Sequence, residues 1–308
     1  MDRSMSTAKQ SRTLAFISAS GGVGKTTLSV LFAAYLQHVK GVPAREILLV
    51  DLDPTAGLSL LLLGDENYAK AEDEGKTLSA AYEDLFERGR RVEPERYIWE
   101  ASFKDSYFKV LVPGESFPRV VEELWRPGNP GESFRRLLEE LGVYSSFRYV
   151  VVDSAPFFDE RYTVLSLYSS DKYAVVLRPS IVDFRRTLRM IRYLAQHHSG
   201  RLGGSTGAFY SKILAVYNLV DTGTREASAL AERGIRNPEG KEEGKAKPSQ
   251  EVLKGIDSLS TLVGRVADYY VPAHSDIARL DVIGKLKKKK EKAELSPVLK
   301  QLADWAEG

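Results

Sequence analysis

Lys25 and Thr26 close the run Ser20-Gly21-Gly22-Val23-Gly24-Lys25-Thr26-Thr27, in which glycines remove the side chains that would keep a polyphosphate away from the backbone. A chain that curls there can aim successive N–H groups at phosphate oxygens. Lys25 would then neutralise the β- and γ-phosphates, and the Thr26 hydroxyl would ligate Mg²⁺. Further on, Asp51 and Asp53 lie one residue apart in Asp51-Leu52-Asp53-Pro54, and Asp153 ends Tyr149-Val150-Val151-Val152-Asp153. Such acids suit phosphoryl transfer, which asks for a charge clamp, an oriented nucleophile and little other chemistry. Taken without their neighbours, they would be turn formers or helix caps. Beside the glycine loop they become candidates: Lys25 and Asp53 for catalysis, and Thr26, Asp51 and Asp153 for the metal.

Elements of matching type flank these residues. Residues 13–18 form a short apolar run that stops at glycines, as a buried parallel strand does. Leu28, Leu31, Phe32, Tyr35, Leu36 and Val39 then recur on one helical face, which ends before Gly41 and Pro43. A second apolar run, 47–50, leads into Asp51. Further strands are expected at 107–112, 149–152, 173–177, 213–217 and 262–266. Strands alternating with helices predict an α/β fold, a mostly parallel twisted sheet with helices on both faces. Ligands in such sheets sit beyond the carboxyl ends of the strands, where the glycine loop and the acids fall.

With 308 residues, 43% hydrophobic and 28% charged, the chain has the composition of a globular protein able to bury a large core. The expected organisation is a flexible tail over 1–12 and a single domain over 13–308. Residues 237–250, rich in charge, glycine and proline, are expected as a mobile surface insertion. The absence of cysteine excludes disulfides, thiolate metal sites and cysteine nucleophiles. His38, His197, His198 and His274 show no metal-ligand spacing. No stretch resembles a signal peptide or reaches the ~18 apolar residues of a membrane span, so a cytoplasmic location is expected, nucleoid-associated if DNA is bound. A net charge of +2 does not by itself argue for nucleic acid.

Three segments in this order resemble the ParA/MinD group of deviant Walker A ATPases: residues 21–27, residues 48–54 (Leu-Leu-Val-Asp-Leu-Asp-Pro) and residues 151–156 (Val-Val-Asp-Ser-Ala-Pro). Weaker similarity continues through Leu177-Arg178-Pro179, Ala215-Val216-Tyr217-Asn218 and Val271-Pro272. The resemblance implies a P-loop NTPase of the SIMIBI type that binds ATP and Mg²⁺ at a homodimer interface. A centromere-binding or adaptor protein would be its partner, and plasmids, chromosomes or division proteins its cargo. By the same resemblance Asp53 would position the hydrolytic water, Asp51 and Asp153 would hold the metal's water shell, and Asn218 would read adenine, with Pro272 beside it. An ordinary strand-end turn explains Asn218 equally well.

One departure bears on turnover. The family's signature lysine would stand at position 20, where this chain has Ser20. A cation supplied across the interface is worth roughly 10³ or more in phosphoryl transfer, so hydrolysis is expected to be slow unless Lys9, Arg12, Arg178 or Arg185 replaces it.

Arg185, Arg186, Arg189 and Arg192 fall opposite the apolar face Phe184, Leu188, Ile191 and Ala195, and Lys287, Lys288, Lys289 and Lys290 form a run before the last helix. These groups could follow a phosphate backbone without reading sequence, or simply solvate two surfaces. The final helix, ending Asp304-Trp305-Ala306-Glu307-Gly308, lacks the basic polar face of a membrane anchor and is expected to pack on the body. Three functions therefore stand: a ParA-like partition ATPase on non-specific DNA, an ATP-gated MinD-like positioning module with little hydrolysis, and a metabolic P-loop ligase.

Overall fold

The computed structural model describes residues 11–126, 128–240 and 246–308. An eight-stranded sheet in the order β3-β4-β2-β5-β1-β6-β7-β8 runs through its centre. The strands are β1 (Arg12–Ile17), β2 (Ile47–Asp51), β3 (Trp99–Phe103), β4 (Ser106–Leu111), β5 (Tyr149–Asp153), β6 (Lys172–Leu177), β7 (Ile213–Tyr217) and β8 (Arg265–Val266). All pair in parallel except β3, which runs antiparallel to β4.

Alternation along β1 explains the layering. Leu14 and Phe16 enter one apolar cluster, and Ala15 and Ile17 enter the other. Each face therefore needs a cover of helices, since a strand buried on both sides exposes no polar face. One layer contains α1 (Lys25–His38) and α2 (Gly57–Asp73). On the opposite face lie α3 (Glu160–Tyr168), α4 (Ile181–Leu202) and α5 (Gln250–Ser260). The first layer is completed by α6 (Val282–Lys289) and α7 (Ser296–Glu307), whose Val298, Leu299 and Leu302 are buried. The last helix thus packs on the body, as its composition predicts.

Close packing of α4 on α5 depends on Gly255. A Cβ there would lie 2.5 Å from the Phe184 ring, so only glycine lets the two helices approach this closely.

Several boundaries differ from the sequence expectation. β3 was not anticipated: its residues alternate between exposed and buried at a sheet edge, and the pattern Trp-Glu-Ala-Ser-Phe is too short to stand out. β8 covers only Arg265–Val266, because Leu262 to Gly264 still turn off the end of α5. Ser11 is buried and Arg12 opens β1, so the sheet begins within the stretch expected as a tail; residues 1–10 lie outside the described residues. Both ends of the insertion expected at 237–250 are held: Asn237 is buried beside the Arg236 to Tyr269 bridge, and Ser249 caps α5 by accepting from Val252 N–H. Residues 241–245 lie outside the described residues.

Candidate functional site

The glycine loop leaves the central strand β1, between β5 and β6, and enters α1. Gly22 and Gly24 take φ values of 65° and 86°, a left-handed conformation that glycine adopts without penalty. No hydrogen bond to the backbone N–H groups of residues 21–27 occurs among the described residues. The loop and the first turn of α1 therefore present a row of free amides together with the positive end of the helix dipole.

Lys25 is buried, and its Nζ donates to Ser18 Oγ at 2.8 Å and to Pro156 O at 3.2 Å. Burial pushes its pKa down, while the negative charges of Asp153 and Asp53 oppose that shift. The Thr26 hydroxyl donates to Asp153 Oδ2 at 2.6 Å, and Ser29 Oγ reaches the other oxygen at 3.3 Å. Burial raises the Asp153 pKa to about 6 against the Thr26 hydrogen bond and the Lys25 charge. Asp153 and Asp51 face each other in the β5–β2 register.

Asp51 is fully buried and is pushed up to about 7, first by desolvation and then by the Asp153 charge. Its Oδ1 accepts from Asp53 N–H at 3.0 Å, and its Oδ2 accepts from the Ser59 N–H and Oγ at 2.9 and 2.7 Å. Both oxygens are thus engaged in holding the start of α2. Asp53 accepts from the Thr55 N–H and Oγ1 at 2.8 and 2.7 Å through Oδ1, which fixes the carboxylate at the entrance to α2.

Among the described residues no cluster of three or more acidic, histidine or cysteine side chains surrounds a common point. A cation beside Thr26 and Asp153 would take most of its ligands from water and phosphate, the habit of Mg²⁺ rather than Ca²⁺. The hydroxyl and carboxylate oxygens present suit that ion.

The structure also brings Asn218 and Arg178 to the loop. Asn218 Nδ2 donates to Val23 O at 2.7 Å, and Arg178 Nη2 donates to Gly22 O at 2.6 Å. The Asn218 Oδ1 has no partner among the described residues, and one of the two Nδ2 hydrogens is engaged by Val23 in this conformation. Leu219 follows at φ 56°, unusual for a leucine, and Val220 bridges Pro272. Ser20 is buried with its Oγ unpartnered. Of the cations considered as its replacement, Arg12 stands at the opposite end of β1 over the Tyr149 ring, Arg185 is exposed on α4, and Lys9 lies outside the described residues. Ser18, Ser29 and Ser59 were not anticipated, and the polar residues at otherwise apolar positions were their only signal.

Arg185, Arg186, Arg189 and Arg192 are exposed along α4 and form no ion pair with a described residue. Lys287, Lys288 and Lys289 are exposed on α6, and Lys290 is exposed just beyond its end. Because α4 and α6 cover opposite faces of the sheet, these groups make separate patches.

A glycine loop of this geometry between a central parallel strand and a helix, with a serine/threonine-to-aspartate link behind it, defines a P-loop ATPase. A family model described as an AAA domain (AAA_31) matches residues 11–198. The chain belongs to that family and is of its ParA/MinD type. Similar solved structures include the ATP complex of a variant of Cyanothece McdA, with 17% identity, coverage of 96% of both chains and a TM-score of 0.64. The ParA family ATPase of Chlorobium tepidum TLS has 18% identity, coverage of 97% of this chain and 99% of its own, and a TM-score of 0.56. MinD in the MinC:MinD cell division complex of Aquifex aeolicus has 16% identity, coverage of 96% of both chains and a TM-score of 0.58. At these identities the likeness establishes the fold. No curated protein matches the chain. Among the described residues no helix is long and apolar enough to cross a membrane.

Proposed function

We propose that the chain binds ATP with Mg²⁺ between two copies of itself and acts as a ParA-like partition ATPase on non-specific DNA. The observation that carries this reading is the convergence of the free loop amides, Lys25, Thr26 and Asp153 at one strand end. Phosphate would meet the amides and Lys25, while Thr26 and Asp153 would hold the metal, whose contribution is to offset phosphate charge. Asp53 would orient the attacking water.

Large apolar side chains exposed close in sequence to the site support the dimer. Phe157 follows the Pro156 carbonyl that holds Lys25, Val182 starts α4, and Leu60 and Leu61 lie in the first turn of α2 after Asp53. Their exposure favours a second copy as cover. The arginines of α4, which form no ion pair with a described residue, support the DNA role, since cations spaced along one helix can track a phosphate backbone without reading bases. A centromere-binding or adaptor protein would couple the dimer to cargo.

Ser20 favours a second reading, an ATP-gated positioning module in which hydrolysis is negligible, because a buried neutral hydroxyl adds no positive charge to the phosphates. Steady-state ATPase measurement with and without DNA separates the two. DNA retardation across a salt series, with and without ATP, tests the partition role. Binding that ignores ATP, or no binding at low salt, would remove its physical basis.

A further inference from the structure

Arg178 and Asn218 follow the neighbouring strands β6 and β7 and reach the same short loop. Arg178 donates to the Gly22 carbonyl at 2.6 Å, and Asn218 donates to the Val23 carbonyl at 2.7 Å. In a planar trans peptide the C=O and the following N–H point to opposite sides. Holding the Gly22 and Val23 carbonyls toward these two side chains therefore turns the Val23 and Gly24 N–H groups away from them. Those are among the amides with no partner among the described residues. Neither side chain has a competing commitment. Arg178 is exposed and paired with no acid among the described residues, and Asn218 is 2% exposed with its Oδ1 unpartnered. The approach is close enough to dictate loop composition, since a Cβ at Gly24 would lie 2.3 Å from Asn218 Nδ2.

We infer that Arg178 and Asn218 are positioning residues of the phosphate site, which act through the loop carbonyls to preset its amides for a polyphosphate. The inference rests on the reading of this loop as a nucleotide site. It gives Asn218 a role in phosphate affinity beside any part it takes in recognition of the base. An amide nest that is preorganised loses less freedom when an anion arrives, so releasing either carbonyl should weaken binding of any ligand that presents a triphosphate.

Calorimetric titration of ATP and of inorganic tripolyphosphate into the wild-type chain and the R178A, R178K, N218A and K25A variants tests this, with nucleotide-free melting curves alongside. R178A should weaken both ligands by the same factor and N218A should weaken both, each by about tenfold for one charge-assisted or buried hydrogen bond. R178K should recover part of the R178A loss. Arg178 is exposed, so the R178A melting temperature without ligand should stay at the wild-type value, and that variant decides the matter even if N218A fails to fold. Wild-type affinity in R178A would overturn the inference. So would N218A that loses ATP while keeping tripolyphosphate, the mark of a base reader. Undiminished ATP binding by K25A would instead overturn the nucleotide reading of the loop, and this inference with it.

Discussion

The Thr26 hydroxyl donates a 2.6 Å hydrogen bond to Asp153 Oδ2 and so joins the first turn of α1 to the end of β5. A hydroxyl and a carboxylate at this distance are set to share one hydrated cation. Wild-type ATP affinity should fall by about tenfold or more when Mg²⁺ is chelated, since a metal contributes several kcal/mol of charge stabilisation. In T26A and D153N that difference should shrink toward zero. Titrating ATP with and without EDTA checks it, and an unchanged Mg²⁺ dependence in T26A would count against this placement of the metal.

Asp53 holds its place through the Thr55 N–H and hydroxyl, so its removal should leave the loop amides and Lys25 intact. D53A is expected to bind ATP with near-wild-type affinity and to lose about 10²-fold or more in turnover, the usual worth of a positioned base. Single-turnover hydrolysis measured beside equilibrium binding separates the two effects. A parallel loss of affinity would mean that Asp53 belongs to the binding site instead.

The buried Asp51 predicts a pH dependence of stability without ligand. Its carboxyl is raised from 3.8 to about 7 by desolvation and by Asp153, so the folded state holds the proton over a range where the unfolded chain has released it. Stability from this group is therefore fully present below pH 3.8 and is lost as pH rises through about 7. D51N carries no such titration. The melting temperature of the wild type, relative to D51N, should fall steadily over that window and then level off. A flat difference would show that Asp51 titrates normally.

The separation of the basic patches makes the DNA surface testable by halves. Replacing Arg185, Arg186, Arg189 and Arg192 with alanine should weaken DNA retardation and reduce the slope of log affinity against log salt by up to about 0.9 for each lost phosphate contact. Replacing Lys287 to Lys290 alters the opposite face and should leave most of the affinity. The reverse outcome would move the DNA surface from α4 to α6.

Much of the fold was readable because its signals are local. A buried parallel strand shows as an apolar run, an amphipathic helix as a 3.6-residue period, and a phosphate loop as glycines followed by lysine and threonine. β1, α1, β2, β5, β6 and β7 fall close to where those patterns put them. Edge strand β3 was missed because only Ala101 of its five residues is buried. β8 is short because the chain is still turning off α5 at 262–264, where a Cβ on Gly264 would lie 2.6 Å from the Ser211 carbonyl oxygen, a close approach that no local pattern announces.

The site divides in the same way. From residue types and spacing came the phosphate loop and the acids at strand ends, and from the resemblance to the ParA/MinD group came the weight given to Ser20. The partners of those residues were settled only by the order of the strands. Thr26 meets Asp153 across 127 positions, Lys25 meets Pro156 across 131, Arg178 meets Gly22 across 156 and Asn218 meets Val23 across 195. Parallel strands bring distant segments to one edge of the sheet, and burial then decides which polar groups must satisfy one another. That requirement ties Asp51 to α2 and turns Asn218 toward the loop, while the apolar sides of α4 and α6 set those helices on opposite faces.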